Sequence, residues 1–203
     1  MRARSAPRPN RRRHILCRFR IVPVQEGMTD LTSLGAAIQS AALKAVFAHW
    51  LDARGSRALP AWKDIDATKI GKHLPLVWAW RFDRAQGAFI GRLAGEEIVA
   101  VLGKEIRGRR LEQCFPADAA RLVHDRYKAV IDGPQIMRTT GHVHMKTGRH
   151  GIGERIVLPL AEDGVTGDGV LGATEYRLHM GDARTLGAAI DHHHEDIAYY
   201  SLS

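Results

Sequence analysis

The chain is short of most features that announce a function. Two cysteines, Cys17 and Cys114, occur in 203 residues, far apart and outside any CxxC or Cys/His pattern. That spacing excludes a disulfide scaffold or a zinc ribbon and points to a reduced intracellular setting, hence the cytoplasm. No apolar run approaches the roughly 18–20 residues that cross a bilayer. There is no GxSxG, no HExxH and no cysteine with a placed histidine, and "GKEIRG" lacks the length and the K-[ST] of a phosphate-binding loop. The adjacent acids Glu96 and Glu97 point different ways from a helix and make a poor acid/base dyad. No catalytic residue is assigned.

The charge is local. The net formal charge is +8, but residues 1–27 hold eight arginines against one acid, and the remaining 22 basic and 21 acidic residues nearly cancel. Three readings of this Pro/Arg-rich lead stay open. It is a basic arm that grips phosphates, a targeting sequence without an apolar h-region, or a lead that is not translated, since Met28 opens "MTDLTSLGAAIQ" as a start would. It is left out of the fold argument, and nucleic acid is not the expected partner of the near-neutral body.

In the body, the helical period comes first. Leu34, Ile38, Ala42, Ala45, Val46 and Trp50 predict one helix over 30–54, with Asp30, Thr32 and Ser33 as cap oxygens and Gly55 as the stop. Pro60 marks a linker, and a short helix is expected at about 64–73, ended by Pro75. The period then turns extended. "LVWAWRF" (76–82) and "GAFIGRL" (87–93) read as a hairpin closed by "DRAQG", with Phe89, Gly91 and Leu93 on one face and Ile90 and Arg92 on the other.

Gly95 marks the turn into a helix whose first turn carries Glu96 and Glu97 and whose end falls at Gly103. Leu111 and Phe115 pack at i and i+4. A longer helix over 116–132 follows, with Ala119, Leu122, Val123, Tyr127, Val130 and Ile131 as its stripe. Extended segments at 135–146, 152–160 and 169–179 complete an α+β domain. Four segments result: 1–27, the N-terminal helices 28–75, a core 76–180 and a tail 181–203.

The residues that carry a family likeness are Trp50, "LPAWKDID" (59–66), "GRLAGEEI" (91–98), "LGKEIRGRRL" (102–111) and "RIVLPL" (155–160). In this order they resemble the PAS domain superfamily, in particular the short stand-alone bacterial PAS proteins without an output domain. The resemblance implies a five-stranded antiparallel sheet in the order 2-1-5-4-3, with helices on one face and an N-terminal helical extension. It further implies sensing or protein interaction, often through a pocket between sheet and helices.

On that reading the pocket is lined by Phe89, Leu111 and Tyr127, with Arg92 and His124 as polar candidates. Arg92 is expected either to pair with Glu96, Glu97 or a carbonyl, or to meet an anionic ligand. Arg109 is read as a surface residue or a second pocket contact. His124 occupies the helix on which haem-binding PAS proteins carry an axial histidine, but Asp125, Arg126 and Lys128 beside it read as a solvated flank. Cys114, in "EQCFP", lacks the context of a flavin photosensor and reads as an apolar filler.

The cofactor is therefore left open, with haem and flavin not expected. His142 and His144 share a strand face, and "DHHHED" (191–196) is histidine-rich, but neither is assigned a metal. The expected function is a sensory or regulatory module that binds a small molecule, a signalling protein, or both. No kinase, cyclase or helix-turn-helix pattern is read, so its signal is expected to leave by association, and the Leu34/Ile38/Ala42 stripe is the candidate homodimer or partner surface. The alternatives are a small α+β enzyme with a site inside the sheet, and nucleic-acid association through the arginine-rich lead.

Overall fold

A computed structural model describes residues 20–21, 31–146, 149–179 and 195–202. The elements run β1 (Arg20–Ile21), α1 (Leu31–Ala37), α2 (Ala41–Arg54), β2 (Val77–Asp83), β3 (Ala88–Ala94), α3 (Glu96–Leu102), α4 (Leu111–Cys114), α5 (Ala117–Asp132), β4 (Gln135–Lys146), β5 (Arg149–Leu160), β6 (Gly169–His179) and β7 (Asp196–Ser201). The sheet order is β1-β7-β4-β5-β6-β2-β3. The stretch β4-β5-β6-β2-β3 is antiparallel throughout and reproduces the implied five-strand order.

Two further strands extend the sheet beyond β4. Residues 181–203 were expected to be a tail, but Asp196–Ser201 pairs antiparallel with β4, from Gln135↔Ser201 to Thr140↔Asp196. The cause is the alternation of "DIAYYS", which buries Ile197 on one face and Tyr200 on the other. Residues Arg20 and Ile21 pair with β7 in parallel.

Each face of the sheet has its own core. Helices α3–α5 cover one face, here called inner, with Ile98, Leu111, Tyr127, Val130 and Ile131 against Trp78, Trp80, Met137, Val157 and Val170. Helices α1 and α2 cover the other, with Leu34, Ile38, Leu43, Val46, Phe47 and Trp50 against Val77, Ala79, Ile136, Ile156, Leu158, Leu171 and Ala173. The strands are apolar on both sides, as the runs "LVWAWRF" and "RIVLPL" require. The stripe Leu34/Ile38/Ala42, expected to face a partner, is instead buried by the chain's own sheet.

The first helix is also not continuous. It breaks at 38–40, where Ser40 takes an extended φ/ψ and its Oγ accepts from Leu43 N at 3.1 Å. A serine at a position where the chain can turn competes with the helix for its own backbone donors. The Glu154 carboxylate on β5 accepts from Gln39 N at 3.0 Å and Ser40 N at 2.7 Å, so the sheet itself caps α2. At the far end, Trp50 Nε1 donates to Pro159 O at 2.9 Å.

The expected helix at 64–73 is replaced by two 3₁₀ turns, Trp62–Asp64 and Gly71–Leu76, and Pro75 lies inside the second. Asp66 turns the chain between them, with Oδ1 accepting from Thr68 N, which leaves too few residues for an α-helix.

Two glycines matter to the local geometry. A Cβ on Gly95 would stand 2.1 Å from Leu74 O, so only glycine lets β3 leave the sheet there. Gly103, at φ 71°, closes α3 in the left-handed conformation and donates to Val99 O.

Candidate functional site

The inner face is filled mainly by rings. Helix α5 presents Tyr127 one turn before Ile131, and Tyr127 stacks on Trp78 with centroids 5.3 Å apart and meets the Phe89 edge at 5.5 Å. Phe82 and Phe89 lie 4.9 Å apart, and His124 stands edge-on to Phe89 at 5.5 Å. Gly172 makes this possible: a Cβ there would sit 2.1 Å from the Trp78 indole.

Of the sequence candidates, Phe89, Leu111 and Tyr127 thus share the inner core, with His124 at its rim. His124 Nε2 lies 3.1 Å from Gly87 O and Nδ1 lies 3.4 Å from Asp125 Oδ1. An imidazole so engaged packs the helix flank.

Arg92 is not brought to this face. A bulge sets Ala79 opposite Leu93 and Trp80 opposite Gly91, leaving Arg92 as the extra residue. The alternation therefore slips by one position. Arg92 turns outward over the Trp62 ring at 5.7 Å, and Leu93, expected beside Phe89, is 41% exposed. Glu96 and Glu97 are exposed and do not pair with Arg92. Arg109 is exposed as well, and its backbone is what the fold uses, its carbonyl accepting from Gly91 N and its N–H donating to Ile106 O. Cys114 is buried, and burial pushes its thiol pKa up, as a packing residue requires. The side chains of His142 and His144 and residues 191–194 lie outside what is described.

Beyond the rings the inner face turns polar. Arg155 on β5 sits beside Thr174 on β6. Its Nε donates to Thr174 Oγ1 at 3.1 Å, its Nη2 reaches Tyr176 Oη at 3.4 Å, and its guanidinium lies 5.9 Å from the Trp78 ring centre. Trp78 Nε1 donates to the same Thr174 oxygen at 2.9 Å. Burial works against the Arg155 charge, but the oxygens of Tyr176 and Tyr127 and the Glu195 carboxylate outweigh it and raise its pKa. Tyr127 is held neutral by burial far above the ordinary phenol range. Alongside, Arg126 on α5 meets Glu195, just before β7, at 2.8 Å, and both are buried.

Sequence reading missed this cluster. Arg126 was taken as part of a solvated flank and Glu195 as part of a polar tail. The available signal was Arg155 itself, an arginine standing among apolar neighbours in "IGERIVLPL".

A hollow of about 340 Å³ lies at the end of the β2–β3 hairpin, lined by Arg81, Phe82, Arg84, Glu162, Asp163, Thr166 and Asp168. Several of its polar groups already serve the loop. Arg84 donates to Gly167 O, Asp163 accepts from Val165 N and Thr166 N, and Asp168 accepts from Trp62 Nε1 and Glu162 N. Among the described residues no group of three His, Cys, Asp or Glu side chains converges to hold a metal, and no helix is long and apolar enough to cross a membrane.

A six-stranded antiparallel sheet with connecting helices over one face, N-terminal helices over the other and a polar cluster under α5 defines a small α+β domain. The chain belongs to the PAS domain family, whose model matches residues 38–175. The match takes in α2 through most of β6 and leaves α1 and β7 outside it. No curated protein and no solved structure matches the chain. PAS domains are sensory and regulatory modules that mediate ligand or protein interactions.

Proposed function

We propose that this protein is a sensory module that binds a small molecule on the inner face of its sheet and passes the event on by association with a protein, without catalysis of its own. The observation that carries the reading is Arg155. It is a partly buried cation hydrogen-bonded to Thr174 and Tyr176, where packed rings on that face give way to polar groups. Its charge is favoured in place by the Tyr176 and Tyr127 oxygens and the Glu195 carboxylate, so a cation stands there for a polar ligand to meet.

The test is a thermal-unfolding screen of the purified full chain against a library of small metabolites, with native mass spectrometry for anything that co-purifies. The reading expects at least one compound to raise the unfolding temperature and to change the fluorescence of Trp78, and expects Thr174→Val to weaken both effects. A library-wide absence of any shift, with no co-purified compound, would contradict the small-molecule part and leave protein association alone.

A further inference from the structure

The three arginines that sit partly or fully within the sheet's two cores are not treated alike. Arg126 has Glu195 at 2.8 Å. Arg138 has Glu154, with Nε at 2.8 Å and Nη2 at 2.7 Å from Oε1. Arg155 has no carboxylate within ion-pair distance among the described residues. Glu154, the next residue along β5, points to the opposite face and is spent on Arg138, Gln39 and Ser40. Glu195 acts on Arg155 only at long range.

A guanidinium has five N–H donors. In Arg155, Nε–H goes to Thr174 and one Nη2–H to Tyr176, while Nη1 has no hydrogen-bond partner among the described residues. The group is nevertheless fixed in place. Thr174 Oγ1 accepts from Arg155 and from Trp78 at once, which ties the guanidinium to a buried indole. A positioned planar fork with donors left over matches a planar acceptor that offers two oxygens. A phosphate dianion would bring a second negative charge that no further unpaired cation among the described residues of this face answers.

We propose that Arg155 is the anchor for the carboxylate of a small organic monocarboxylate, with Nη1 and Nη2 donating to its two oxygens. This rests on the sensory reading above and names the ligand class for that site.

The test is isothermal titration of the full chain with sodium butyrate and sodium benzoate, set against butyramide and inorganic phosphate at matched ionic strength. The proposal expects the two carboxylates to bind with dissociation constants of about 10 mM or tighter and the amide and phosphate not to bind measurably. Arg155→Met is expected to weaken carboxylate binding at least about tenfold, and Arg92→Met, which removes an exposed arginine from the other face, to leave it unchanged. Should Arg155→Met not fold, Arg155→Lys serves, because it keeps the charge and loses the fork; it too is expected to weaken binding.

Carboxylate binding that ignores Arg155, or no binding of either carboxylate, would overturn the proposal. A neutral metabolite found in the unfolding screen would then leave the sensory reading standing without its anion, whereas silence in both experiments would remove both.

Discussion

At the scale of single residues, the inner face is governed by what burial does to groups that can ionise. Tyr127 is the clearest case. Its phenol is buried against Trp78 and Phe89, and burial raises its pKa far above the ordinary value of 10. The unfolded chain therefore releases this proton near pH 10 while the folded chain keeps it. A raised folded pKa contributes stability that is complete below the unfolded value and is lost as pH climbs beyond it. Urea unfolding measured from pH 8 to pH 11 should show stability falling above about pH 10 in the native protein, and Tyr127→Phe should flatten that fall. An unchanged slope in Tyr127→Phe would mean that the phenol is not the group responsible. Phe89, Leu111 and Tyr127 were legible as inner residues because their spacing on strand and helix is regular. The exposure of Leu93 was not, because the extra residue Arg92 in β3 shifts the side chains after it to the other face and no local composition marks the bulge; Arg92 itself lies on the face opposite Phe89, where the alternation puts it.

At the scale of elements, the N-terminal helices are held to the sheet by a few polar contacts laid over an apolar interface. Glu154 accepts from two backbone donors at the start of α2 and pairs with Arg138. Glu154→Ala removes the cap and leaves Arg138 without its acid. The expected loss is about 3–5 kcal/mol in urea unfolding. Amide exchange is expected to speed up at Leu43 and Lys44 more than at the Trp50 end, where Trp50 Nε1 still holds Pro159. A uniform change along α2 would argue that Glu154 acts on the whole sheet. The helices themselves were readable from the 3.6-residue period, and so was the longer helix now seen as α5. The break at Ser40 was not, because the group that makes it favourable lies 114 residues away in β5. In the same way β7 was hidden in a histidine-rich stretch whose polar start masked the alternation of "IAYYS".

At the scale of the molecule, the sheet is a partition with a distinct chemistry on each side. The side under α1 and α2 is apolar and pinned by Glu154. The side under α3–α5 is aromatic at its centre and polar at one end. The two sides meet along β5, where Glu154 and Arg155 are consecutive and point opposite ways, so a displacement of one moves the anchor of the other. The succession of helices and strands was accessible from the periods, and the strand order from the resemblance to the PAS family. The placement of α1 and α2 across the sheet was not, since an apolar helix stripe reads the same whether it covers its own chain or another.

The most direct test is an NMR titration of the full chain with sodium butyrate, following the four indole N–H resonances. The Trp78 indole shares Thr174 Oγ1 with Arg155, while the Trp50 indole is bonded to Pro159 O beneath α2. Occupation at Arg155 should move the Trp78 signal, saturate, and leave Trp50 nearly still. A titration in which Trp78 stays fixed up to saturating butyrate, or in which Trp50 moves as far as Trp78, would contradict the account.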